Sequence, residues 1–287
     1  MLARVLATAL ALAVPAPSEA AALPSPYEEE QGAGRSPPPK KVVSPIGEVR
    51  ILSDKEARSI LKDLDRTFTI LKTSKRKGKE KGAAGKKGKA SGFLERLEAV
   101  ERLARLRHSK LPAFLGRIVL RDPSAAVRAR AAEAFLAQDP KKARKIVIRL
   151  LLDRDLRGKG TIQAPLIRFL TFHGAKARTW TSIRRKFLDL GSPAQIAFFE
   201  SVAQRRDFDS LELCLAHLDP PAPVNVEAAD NPPASYWKKR WEAWQAFKPA
   251  LKKALEALLG RSFDKASEAR AWIESRGGIA RLKKKRG

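Results

Sequence analysis

Few residues in this chain have the types and spacing that chemistry needs. There are three histidines, His108, His173 and His217. No two of them stand at metal-ligand spacing, so no metal site is expected. Each falls at the C-terminal end of a predicted helix, where a partial positive charge is favourable, so helix capping is the expected role. The single cysteine, Cys214, lies in the apolar run LELCLAHL and reads as a buried, inert thiol. The segment GKKGKASG has the composition of a phosphate loop but lacks the Gly-Lys-Ser/Thr ending, and no Gly-x-Ser-x-Gly elbow occurs. No catalytic residue and no cofactor are assigned, and the chain reads as non-enzymatic.

The cations are the better lead. Lys and Arg number 58 against 31 Asp and Glu, a formal net charge of +27. Folding does not require that imbalance; it points to anionic partners. Lys141, Lys145 and Arg149 recur at helical spacing opposite the apolar Ala143, Ile146, Val147, Leu150 and Leu151. Arg178 and Arg185 share a face opposite Trp180, Ile183 and Phe187, flanked by Arg184 and Lys186. If the two helices are second members of successive pairs, these seven cations form one anion-binding strip. The competing reading is a solvated basic face with no partner. Trp237, Trp241 and Trp244 fall on one helical face among Lys238, Lys239 and Arg240. Aromatics among cations can stack on single-stranded nucleic acids or glycans, although three Trp at this spacing also suit a core.

The elements that would position these residues are helical. Ser53 and Glu56 form a capping box, and Ala57, Ile60, Leu61, Leu64, Phe68 and Leu71 fall on one face. From Phe93 the pattern predicts helices near 93–107, 110–120, 124–138, 140–152, 161–173, 176–189, 193–205 and 208–217. Asp122-Pro123, Asp139-Pro140 and Ser192-Pro193 place a capping residue before a proline, and Gly174 and Gly191 follow helices. Paired helices recur every roughly 30 to 40 residues, the range of helical repeats. The stretch 73–92 holds many cations and glycines and no large apolar residue, so it is expected to be disordered alone.

The run DPSAAVRARAAEAFLAQ resembles the first helix of a HEAT repeat, through Asp122, Pro123, Val127, Arg128, Ala131, Ala132, Ala134 and Phe135. Further on, Gly260, Phe263 and Trp272 resemble the closing segment of exported bacterial HEAT-repeat proteins, with Ser275 where a second Trp often stands. The resemblance implies an all-α, HEAT-like solenoid of stacked antiparallel helix pairs whose work is holding partners. It also implies that Arg128 bonds an Asp near a repeat start, with Asp122 the matching type. Some HEAT-like proteins excise alkylated bases with Trp and Asp in a basic groove. Here only Asp230 precedes the Trp cluster, in a predicted loop.

The first twenty-two residues, with Arg4, the apolar run Val5 to Val14 and the small-x-small Ser18-Glu19-Ala20, read as a signal peptide. The expected order is then a signal peptide (1–22), a Pro-rich linker (23–52), an isolated amphipathic helix (53–72) and a basic disordered linker (73–92). HEAT-like repeats (93–218), a Pro-rich loop (219–234), a Trp-bearing helical cap (235–277) and a basic tail (278–287) complete it. Together these features describe an exported, periplasmic or secreted scaffold. Its partner would be a protein, an anionic envelope polymer or a membrane surface. The alternative is a nucleic-acid-binding repeat protein, which the signal peptide disfavours.

Overall fold

A computed structural model of the chain describes residues 41–44, 47–68, 92–223 and 230–286. All of them belong to one compact unit, Pro39–Gly287. The expected signal peptide, the Pro-rich stretch up to residue 40, Leu71 and nearly all of the expected basic linker 73–92 lie outside the described residues.

Most of the described chain is helical. The helices are α1 Asp54–Thr67, α2 Phe93–Ala104, α3 Leu111–Arg121, α4 Ala125–Glu133, α5 Pro140–Leu151 and α6 Gly160–His173. They continue as α7 Ala177–Arg185, α8 Ser192–Arg205, α9 Leu211–Ala216, α10 Ala234–Leu259, α11 Ala266–Ser275 and α12 Gly278–Arg286. Short 3-10 turns follow α4 (Ala134–Ala137) and α7 (Phe187–Asp189) and precede α9 (Phe208–Ser210). The helices expected between 93 and 217 are therefore present, with three of them tightened at one end. Packing joins every second helix: α2 lies on α4, α4 on α6, α6 on α8 and α8 on α10. A second set of contacts joins α3 to α5 and α5 to α6.

Local chemistry explains the boundaries. Ser53 Oγ accepts the Glu56 N–H while Glu56 Oε2 accepts the Ser53 N–H at 2.9 Å, so the expected capping box starts α1. Asp139 accepts the Lys141 N–H at 2.8 Å ahead of Pro140 and starts α5. Two caps differ from expectation. Ser124, not Asp122, caps α4, and Gly191, not Ser192, precedes α8. In α4, Val127, Ala131 and Ala132, followed by Ala134 and Phe135, are fully buried. Small side chains let α4 approach its neighbours while Val127 and Phe135 fill the shared core.

Two segments depart from the sequence reading. Residues 41–51 do not form a linker: β1 (Lys41–Ser44) pairs antiparallel with β2 (Gly47–Ile51). β2 also pairs in parallel with β3 (Leu106–Arg107), with Arg50 opposite Leu106 and Ile51 opposite Arg107. This anchors the N-terminal hairpin and places α1 on α2, so α1 is not an isolated helix. Its Ala57, Leu64 and Phe68 are buried, and Phe68 meets Phe114 edge-on at 5.7 Å. The basic tail is the second departure. It forms α12, where Leu282 is buried and Lys283 pairs with Asp209.

Candidate anion-binding surface and aromatic cleft

The predicted strip divides into cations that are free and cations that are in use. Lys141, Lys145 and Arg149 are exposed along α5, opposite the buried Ala143, Val147 and Leu150. Arg178 and Arg185 are exposed on α7, opposite the buried Trp180 and Ile183. Among the described residues none of these five has an ion-pair partner.

Arg184 and Lys186 do not join them. Arg184 Nη1 lies 3.1 Å from Asp207 Oδ2, a carboxylate shared with Arg205 at 3.3 Å, while Nη2 donates to Thr181 Oγ1 at 2.8 Å. Arg205 in turn lies 3.8 Å from the centre of the Trp180 ring. Arg184 is therefore committed to holding α7 against the start of the 3-10 turn at 208. Lys186 Nζ donates to the Leu152 carbonyl at 3.1 Å. That bond satisfies a helix-end carbonyl and ties the C-terminal ends of α5 and α7 together. Arg107 does the same for the Ala137 carbonyl at 2.7 Å, and Arg144 for the His173 carbonyl at 2.9 Å. A share of the chain's cations is thus structural.

On α4 and α6 part of the charge is locally balanced. Arg130 pairs with Glu133 at 2.6 Å and faces Glu101 at 3.8 Å, and Arg168 faces Glu200 at 3.4 Å. Uncompensated positive charge lies on α5 and α7, and also on α10 at Lys238, Lys239 and Lys253.

The predicted partner of Asp122 is also different. Asp122 Oδ2 meets Arg96 Nε at 3.0 Å, with both side chains almost fully buried. Asp122 Oδ1 accepts the Ser124 N–H at 2.9 Å. Arg128 is half-buried, and its Nε has no hydrogen-bond partner.

Two of the three histidines stand at helix ends as expected, His173 at the last position of α6 and His217 at the C-cap of α9, while His108 does not. His108 follows β3; its Nδ1 accepts the Lys110 N–H at 3.2 Å, which leaves Nε2 to donate to Asp54 Oδ1 at 3.0 Å. His173 ends α6 with its ring 4.6 Å from Phe169, and burial holds its pKa below the ordinary value. His217 caps the end of α9 among aromatic rings, 4.8 Å from Phe187. Burial, and then the charge of Arg240, lower its pKa from 6.5 to about 4, so the ring is neutral at pH 7. Cys214 is fully buried, which pushes its thiol pKa well up and keeps it unreactive.

The tryptophans separate by role. Trp244 is buried and donates through Nε1 to the His217 carbonyl at 3.1 Å. Trp241 is exposed, and Trp237 is half-buried with its indole N–H lacking an acceptor. Trp237 and Trp244 line a cleft of about 690 Å³ between the start of α8, the segment 216–222 and α10. Tyr236, Lys239, Arg240 and His217 line it too, and the exposed Leu188 borders it. Phe263 and Trp272, expected from the resemblance to belong together, meet at 5.7 Å elsewhere, beside α11.

No protein-family model, curated protein or solved structure matches this chain.

Among the described residues no group of three or more His, Cys, Asp and Glu could hold a metal ion. No described helix is long and apolar enough to cross a membrane. The geometry offers two features: an unpaired basic face on α5 and α7, and a cleft of rings and cations at α10.

Proposed function

We infer that this chain is a non-enzymatic binding scaffold of HEAT-like helical repeats, exported from the cell, that holds a polyanionic polymer on the face of α5 and α7. The reading rests on Lys141, Lys145, Arg149, Arg178 and Arg185, which are exposed and have no ion-pair partner among the described residues, whereas Arg184 and Lys186 beside them are held by Asp207 and the Leu152 carbonyl. Exposed like charges spaced one or two turns apart on a helix repel one another, and a polyanion relieves that repulsion. The repeat reading is supported by the regular contact of alternate helices from α2 to α10. In such an array each pair covers its neighbours' apolar faces and leaves a long surface for a partner. Export rests on the sequence of residues 1–22.

Salt dependence tests the electrostatic part. The Debye length shrinks from about 10 Å at 0.1 M salt to about 3 Å at 1 M. The full chain should bind immobilised heparin at low salt and elute well below about 1 M. Retention that does not change over that range would contradict an electrostatic partner.

A further inference from the structure

The cleft beside α10 contains a fixed positive charge that no carboxylate among the described residues pairs. Arg240 Nη1 donates to the Tyr236 hydroxyl at 3.2 Å, and its guanidinium carbon lies 5.7 Å from the ring centres of both Tyr236 and Trp237. These partners hold the guanidinium in place but do not neutralise it. Among the described residues no carboxylate pairs with Arg240 or with Lys239. The carboxylate in the cleft lining, Asp219, already accepts the Ala266 N–H at 3.1 Å, where it ties the start of α11. His217, which lines the same cleft, has its pKa lowered first by burial and then by the charge of Arg240.

The walls ask for a ring. Tyr236 and Trp237 meet edge-to-face at 5.2 Å, and Trp244 closes the floor with Phe247. The volume of about 690 Å³ is that of a site for a small molecule, since such sites run from about 300 to 1,000 Å³. An apolar body with one well-placed charge fits a pocket of mostly apolar walls and a few polar groups. A guanidinium presents a planar fork that matches a carboxylate.

We propose that this cleft binds a small planar organic anion, a ring bearing a carboxylate, with the ring against Tyr236 and Trp237 and the carboxylate on Arg240. The site is separate from the basic face of α5 and α7, since none of Lys141, Lys145, Arg149, Arg178 and Arg185 lines it. It stands or falls independently of the polyanion reading.

The test is a titration of the full chain with 2-naphthoate, 2-naphthamide and inorganic phosphate, followed by tryptophan fluorescence and calorimetry. The amide keeps the ring and loses the charge; phosphate keeps charge and loses the ring. 2-Naphthoate should bind saturably and at least about tenfold more tightly than either, as expected for a charge-assisted hydrogen bond in a partly desolvated site. Arg240→Gln should bring the acid to the affinity of the amide, and Trp237→Leu should weaken both. Absence of saturable binding, equal affinity for acid and amide, or phosphate binding as tightly as 2-naphthoate would each overturn the proposal. The comparison of the three probes uses the unaltered chain, so a variant that fails to fold leaves it decisive.

Discussion

Arg96 Nε reaches Asp122 Oδ2 at 3.0 Å, and the pair is buried where α2 meets the turn between α3 and α4. A buried charge pair is weak evidence of stability in itself, but breaking it leaves one charge uncompensated. Asp122→Asn keeps an acceptor for the Ser124 N–H but turns an amide N–H towards Arg96 in place of the carboxylate oxygen. It should destabilise the protein by about 3–5 kcal/mol, measured by denaturant unfolding. Adding Arg96→Met should recover most of that loss. A loss that the second substitution does not relieve would mean the pair is not what Asp122 supports.

Backbones touch where α6 starts beside α8. A Cβ added at Gly191 would lie 2.5 Å from both Gly158 O and Gly160 N, and one at Gly160 would lie 2.5 Å from Pro193 Cδ. Gly191 has φ −71, so its need for glycine is this close approach and not a left-handed turn. Gly191→Ala should therefore cost at least about 1–3 kcal/mol, the usual range for overpacking. Gly92→Ser has open space and a capping role, so its melting temperature should equal or exceed that of the parent. Equal behaviour of the two variants would contradict the contact.

His217 gives the fold a pH dependence of known sign. Its folded pKa, about 4, lies below the ordinary 6.5, so the unfolded chain binds the proton more readily. Its contribution to stability is complete above pH 6.5 and is lost as pH falls towards 4. His173, also depressed by burial, acts in the same direction. Unfolding free energy measured across that window should fall with pH, and His217→Phe should flatten the slope. An unchanged slope in the variant would show that His217 does not report on the cleft.

Much of the helical order was legible because its signals are local. Asp139-Pro140 and Ser53 with Glu56 mark helix starts within four residues, and Val127, Ala131 and Phe135 reveal a buried face by spacing alone. The rest depends on pairings distant in sequence. β2 pairs with β1 and also with β3, more than fifty positions later, while the neighbouring prolines suggest a linker. Arg184 and Lys186 look like members of the basic strip until Asp207 and the Leu152 carbonyl are seen to hold them. The cleft was not legible either, since it needs α8, the segment after α9 and α10 brought together. The signal that could have found it was present: Tyr236 and Arg240 stand one helical turn apart with Trp237 between them.

The basic face of α5 and α7 can be tested by two charge reversals of equal size placed on different parts of the surface. Lys145→Glu, Arg149→Glu and Arg185→Glu in one variant alter exposed, unpaired residues, so stability should change little. Lys238→Glu, Lys253→Glu and Lys265→Glu in a second variant make the same change of charge at exposed sites elsewhere. The decisive measurement is the Kd of each full-length variant for heparin at about 0.1 M salt, where charges beyond about 10 Å are screened. The first variant should lose at least about tenfold in affinity and the second less than about threefold, a difference on the order of 1 kcal/mol or less per charge. Equal losses from the two sets would show that binding follows net charge alone and that α5 and α7 form no site.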